Sequence, residues 1–357
     1  VAYGQVQSPP PLGEGARALT LADWIAIAIR IAAPLVLIIL VLADLIRPGS
    51  FKRAGLRDVA AYAWPVWLFG AFVVFSAQVF GSQTLSQLPM LWERAVSGEL
   101  PVRSLPQSEL RDTALRQLGA VLFGSFAGGV MVFLLNKREH DEGMRFGLRD
   151  IPIGCVALVL IFPLVSATAE LSRLLFERVT GEPQGDIAHE TLRLIHENAN
   201  DPWAWVLIAA AVLGAAIVEE LIYRAFVQTA LLRLFGSAWL AVLVTGVGFG
   251  LVHRAGGMVP WHQIPTLVVL GVCIGLAYER FKGLGVPITI HAGFNAVQIA
   301  LLLWVVEPPP ADPAPPQDAP ATAALLGPSA DTSPMDWWHP AIHAGMPDSV
   351  ASYRAVC

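Results

Sequence analysis

The chain is short of charge. Of its 357 residues only 14% are Asp, Glu, Lys or Arg, against 55% hydrophobic, whereas soluble domains carry roughly a quarter charged residues. With a mean hydropathy of +0.58, this excludes an ordinary soluble globule and points to a polytopic membrane protein. Cysteine is scarce too. Cys155 and Cys273 lie in apolar runs and Cys357 is the last residue, which provides neither a disulfide framework nor a CxxC metal pair. Basic residues are not in excess: the net charge is -5, no basic stripe stands out, and no nucleic-acid partner is expected. The first eighteen residues hold one basic residue and lack an apolar core followed by a small-residue cleavage site, so no removable signal peptide is read there.

What the sequence does have is long apolar runs, and the expected fold is all-α: a polytopic membrane bundle of about eight transmembrane helices. The spans are read at about Trp24–Leu45, Val59–Phe80, Leu118–Leu135, Ile151–Ala169, a helix from Trp203 to Phe235, a helix capped by Ser237 that reaches His253, Pro265–Phe281 and Val286–Val306. Arg30 is expected to snorkel or to face the bundle, and Trp64 and Trp67 to anchor at the interface. The polar stretch after the second span is read as surface helices. The small-residue run Gly124–Gly129 favours close helix packing. Asp201-Pro202 reads as an N-cap followed by proline at the first helical position. The helix it opens has no strong breaker before Gly236. It should run about 50 Å, well beyond a hydrocarbon core of about 30 Å, and so must protrude or tilt.

Four regions follow: residues 1–18, a disordered N-terminus; 19–201, the first four spans with their loops; 202–306, a core of four spans; and 307–357, a Pro/Ala-rich tail not to be forced into structure. Arg47, Lys52, Arg53 and Arg57 follow the first span, Lys137, Arg138, Arg145 and Arg149 the third, and Arg280 and Lys282 the seventh. These loops should share one side, the cytoplasmic one.

The expensive residues lie in the core of four spans. Glu219, Glu220 and Arg224 fall inside an apolar run, where an ionised side chain costs several kcal/mol unless compensated. Glu220 and Arg224 are four apart, on one helix face and within ion-pair reach; Glu219 points about 100° away. One carboxylate is thereby neutralised and the other left for general acid–base work. Phe249 and His253 repeat the spacing of four on the next helix, and His291 and Asn295 on the last. Stacked hydrogen-bonding side chains such as the last pair suit a developing oxyanion. Taken singly, each pair also reads as structural: an ion cluster clamping helices, an interfacial histidine, a helix–helix hydrogen bond.

Taken together, EExxxR, FxxxH and HxxxN on three successive spans resemble the CAAX protease and bacteriocin-processing (Abi-type) family of intramembrane proteases, which includes the type II CAAX prenyl endopeptidases. The resemblance covers about 202–306 and fills every motif position: Glu219, Glu220, Arg224, Phe249, His253, His291 and Asn295. It implies that Glu219 activates a water, that His253 holds that water, and that His291 and Asn295 stabilise the oxyanion. Glu220 and Arg224 would form the supporting ion pair, and Phe249 would shape the pocket. The substrate implied is a peptide or membrane-anchored protein. The location expected is a bacterial inner (plasma) membrane, and the loop charges and helix lengths put the site toward its cytoplasmic half. No cofactor is required by this scheme. A divalent metal such as zinc is the alternative, with Glu219, His253 and His291 as ligands.

Two other classes remain beside the enzyme. One is a non-catalytic membrane scaffold or partner-binding protein that uses the polar cluster structurally. The other is a transporter, against which stands the lack of an internal repeat or paired broken helices. His189 and His196, seven apart, read as a solvated amphipathic helix rather than a metal site. Glu170 and Arg173 read as an end-of-span pair.

Overall fold

The computed structural model describes residues 21–43, 46, 51, 57–97, 109–136, 143–181, 190–255 and 259–305. Among these there are nine helices and no strand: α1 Leu21–Leu42, α2 Trp64–Ser97, α3 Glu109–Leu135, α4 Asp150–Thr180, α5 Glu190–Glu197, α6 Pro202–Phe235, α7 Ala238–Ala255, α8 Ile264–Phe281 and α9 Gly285–Val305. Seven are long and apolar enough to cross a membrane, and α1 adds a shorter apolar stretch, Ile27–Leu42. The bundle turns apolar side chains outward, as a lipid solvent allows: Phe126 is 76% exposed, Phe133 83% and Trp304 90%. The N-terminal segment, the Pro/Ala-rich tail, Arg47, Lys52, Arg53, Lys137, Arg138 and His189 lie outside the described residues.

Hydropathy marked the apolar stretches well but not the ends of the helices. α2 runs on to Ser97 through Pro89, and α3 opens at Glu109 with Glu109 and Asp112 in its first turn, where carboxylates complement the helix dipole. Much of the polar stretch read as separate surface helices therefore extends two spanning helices. A helix keeps its own hydrogen bonds after it leaves the apolar layer, so a fall in hydropathy does not end it. Trp67 is a second correction. It is fully buried, packed edge-on against Tyr62, and is not an interface anchor; Trp64 is the exposed one. His196 is a third, since it is buried beside Leu194 and Ile195 in the packing of α5 onto α6.

Other local expectations hold. The Asp201 carboxylate accepts from the Trp203 amide at 2.8 Å, and the Ser237 hydroxyl accepts from the Leu240 amide at 3.4 Å at the start of α7. Arg30, 58% exposed, pairs with Glu170 at 2.9 Å, and Glu170 also meets Arg173 at 3.2 Å.

α6 runs through the middle, packed on α2, α3, α7 and α9. Small residues bring its neighbours close. Gly124 faces Val218, Gly128 faces Leu221, and Gly119 of α3 lies directly on Gly81 of α2, the small-on-small contact that substitutes for hydrophobic drive inside lipid. α6 is not uniformly α-helical. It widens to π-helix at Ala210–Gly214 and again at Leu221–Gln228, and such insertions concentrate at functional sites because they re-aim the side chains around them.

Two features place the site. The Gln228 amide donates to the Gly275 carbonyl at 3.1 Å and to Glu279 at 2.8 Å, so Gln228 is level with the end of α8. The α6–α7 turn at Gly236 lies eight residues further on, roughly 12 Å beyond. The hairpin thus protrudes, as the length of the helix required. Arg57, Arg145 and Lys282 also gather at one end: Arg57 reaches Glu279, and Arg145 exchanges bonds with the turn at Lys282–Leu284.

Candidate active site

Glu219 and Glu220 sit at the junction where α6 passes from α-helix into its second π segment. The two carboxylates have different surroundings. Glu220 is fully buried, with Oε2 2.9 Å from Arg224 Nε. Its Oε1 accepts from His291 Nδ1 at 2.9 Å. Arg224 is itself fully buried, its guanidinium 5.5 Å from the centre of the Phe249 ring. Glu219 is 23% exposed, and its Oε2 is shielded from solvent without a hydrogen-bond partner. The split into a paired and an unpaired glutamate is the one expected from the spacing.

Two imidazoles face that unpaired oxygen. His253 Nε2 is 3.7 Å from Glu219 Oε2, and His291 Nε2 is 3.9 Å from it. Both rings are oriented through their other nitrogen. His253 Nδ1 lies 2.8 Å from the Phe249 carbonyl one turn back, and His291 Nδ1 meets Glu220. A carbonyl and a carboxylate only accept, so each Nδ1 carries a proton and each ring turns its Nε2 toward Glu219. A carboxylate oxygen and two imidazole nitrogens therefore converge at separations too long for direct hydrogen bonds. A small group that can both donate and accept, such as water, complements them. Phe249 packs against both rings, its centroid 4.6 Å from His253 and 5.8 Å from His291, and walls the cluster.

Asn295 lies one turn beyond His291 along α9. Its Nδ2 donates at 2.9 Å to the Ala211 carbonyl, in the first π segment of α6. Ala211 is eight residues, about 12 Å, before Glu219 along the helix axis. Asn295 therefore ties α9 to α6 on the N-terminal side of the cluster, with its second N–H still to give.

Two imidazole nitrogens and a carboxylate are the donor types zinc takes. Bonds of about 2.0–2.1 Å in a tetrahedral site would place the donors about 3.4 Å apart, closer than the separations from Glu219 seen here. Among the described residues no group of three His, Cys, Asp or Glu side chains is drawn together tightly enough to hold a metal ion.

A second buried cluster has no motif in the sequence. Arg57, from the segment ahead of α2, forms a two-pronged pair with Glu279 at 3.0 and 2.8 Å. It also donates to the Thr229 hydroxyl at 2.9 Å and the Tyr278 hydroxyl at 3.1 Å. The Thr229 hydroxyl in turn donates at 3.2 Å to the Arg224 carbonyl, five residues back. The far end of the π segment that carries Arg224 is thus held by a charge from outside the core of four spans. Gln228 and Glu279, polar positions inside apolar helices, were the available signal; Arg57 looked like any loop cation.

Residues 201–297 match the family model of the Rce1-like type II CAAX prenyl endopeptidases. The match bears out the resemblance carried by the three motifs, and all seven motif residues fall inside it. It supports an intramembrane CAAX endopeptidase in general, a peptidase embedded in a bilayer. The spans ahead of residue 201, Arg57 included, lie outside it. No curated protein and no solved structure matches the chain.

Proposed function

We propose that the chain is an intramembrane endopeptidase in which Glu219 activates a water for attack on a peptide carbonyl. The observation that carries this reading is the convergence of Glu219 Oε2 with His253 Nε2 and His291 Nε2 at 3.7 and 3.9 Å. A water placed among them donates one hydrogen to Glu219 and the other to an imidazole, leaving its lone pair free to attack. Glu219 takes a proton as the new C–O bond forms. It passes that proton to the amide nitrogen as the C–N bond breaks, which balances the hydrolysis without a covalent intermediate.

The developing oxyanion needs donors in fixed positions. His291, braced between two carboxylates, serves when its Nε2 carries a proton, and the free N–H of Asn295 serves from the adjoining turn. Glu220 and Arg224 act through His291. They fix its ring rather than touch the substrate. Phe249 excludes bulk water from one side. The substrate proposed is a peptide or membrane-anchored protein reached from the bilayer, with a prenylated C-terminal peptide as the first probe. The location proposed is a bacterial inner membrane, with the basic end of the bundle cytoplasmic.

The test is cleavage of a fluorogenic farnesylated C-terminal peptide by the full chain in liposomes. Glu219→Gln should lower the rate roughly 10²- to 10⁴-fold with unchanged thermal unfolding. Wild-type protein that leaves a panel of prenylated and unprenylated membrane peptides intact would favour the scaffold instead.

A further inference from the structure

The bundle has a cavity of about 660 Å³ that does not coincide with the glutamate–histidine cluster. It lies at the basic end, where α8 finishes and α4 and α9 begin, and is lined by residues 145–150 with Ile153, Phe281 and Gly283. We propose that this cavity binds the headgroup of an anionic phospholipid, its phosphate held by Arg145 and Arg149 and its acyl chains laid against Phe146, Leu148 and Phe281.

Position argues first. Three apolar spans have an end at the cavity: Asp150 opens one, Phe281 closes another and Gly285 opens a third. The spans of α8 and α9, 21 and 20 residues long, match a hydrocarbon core of about 30 Å, which puts their ends, and the cavity, at the headgroup layer. Its volume is within the range of small-molecule sites.

Charge argues second. Arg145 and Arg149 are both exposed in the cavity wall. The Arg149 guanidinium makes no hydrogen bond or ion pair among the described residues, and Arg280 is exposed nearby. The acid in the wall is Asp150, whose Oδ2 accepts from the Gly147 amide at 2.8 Å; two arginines against this one carboxylate leave the wall cationic. Cations at the mouth of a pocket between spanning helices match an anionic lipid headgroup.

Surface chemistry argues third. Leu148 is 81% exposed and Phe146 54%, side by side with the arginines. That alternation suits a ligand with a charged head and apolar tails, and does not suit free phosphate. The site also adjoins α9: Arg145 Nε donates to the Lys282 carbonyl at 3.2 Å, and the Leu284 amide donates to the Arg145 carbonyl at 2.8 Å. A bound lipid would brace the turn that opens the helix carrying His291.

The experiment is native mass spectrometry of the full chain titrated with phosphatidylglycerol or phosphatidylcholine in mild detergent. Wild-type protein should retain phosphatidylglycerol in preference. Arg145→Gln/Arg149→Gln should weaken retention roughly 30-fold, at about fivefold per cation near a lipid headgroup. Arg145→Lys/Arg149→Lys should keep most of it, since a point charge still holds phosphate. A charge-matched Arg116→Gln/Arg178→Gln protein, altered in α3 and α4 away from the cavity, should bind as wild type. Equal retention of the two lipids by wild-type protein, or equal losses in the two Gln double variants, overturns the assignment. So does displacement of the lipid by millimolar inorganic phosphate, which would identify a phosphate site.

Discussion

Breaking the Arg57–Glu279 pair offers a sharp test of how this bundle is held together. The side chains of Arg57 and Glu279 are 0% and 1% exposed, and two hydrogen bonds of 3.0 and 2.8 Å join them. Replacing Arg57 by Met leaves a carboxylate buried with only the Gln228 amide to answer it. Removing one member of a buried pair costs about 3–5 kcal/mol, because the remaining charge is left without compensation. Replacing both members by Met removes that charge as well, and such exchanges are often neutral or stabilising. Here the Thr229 and Tyr278 hydroxyls also lose a partner, at about 1 kcal/mol each for ordinary hydrogen bonds. The double variant should therefore cost about 1–2 kcal/mol, less than either single variant. The assay is reversible unfolding in bicelles followed by steric trapping, with both single variants and the double variant in one cycle. A single variant that costs under about 1 kcal/mol, or a double variant that costs the sum of the singles, would refute the reasoning from burial.

Further outcomes follow from the site and its packing. Glu220→Gln should destabilise the fold by about 3 kcal/mol, since it strands the buried Arg224 charge, whereas Glu219→Gln should be nearly neutral for stability and severe for cleavage; unfolding and peptidase assays on the two proteins check the contrast. Dialysis against a chelator should leave cleavage within about twofold of its starting rate, because ligand spacing here is wider than a zinc site; a loss restored by added zinc would establish the metal alternative. Gly119→Val should cost about 3 kcal/mol or more, as its Cβ would run into the Gly81 carbonyl. Gly129→Ala, with open space around it, should be neutral or stabilising by up to about 1 kcal/mol. Both are read by the same unfolding assay.

How much of this was legible in advance depends on the range of the interaction. The Asp201 cap, the Glu220–Arg224 pair and the length of α6 follow from neighbours within a turn or two, and all appear in the structure. Trp67 was misread because a tryptophan near the start of an apolar run looks alike whether it faces lipid or core. Only the packing of α2 on the π segment of α6 buries it. The π insertions leave no mark in the sequence, where motif spacing implies 3.6 residues per turn throughout. Arg57 pairs across 222 residues of chain, and no local pattern announces that.

From its sequence alone the chain is determined to be an apolar all-α bundle with an unusual set of acids, imidazoles and an amide on three of its spans. Composition, periodicity and motif spacing are local properties, and they are enough for that. Tertiary structure decided the rest: which imidazole nitrogens turn toward Glu219, that Asn295 holds the Ala211 carbonyl, and that Arg57 closes the far end of the π segment. Each depends on how separate helices are rotated against one another. That rotation comes from glycine contacts, buried charge and a helix wider than the α-helical pattern predicts.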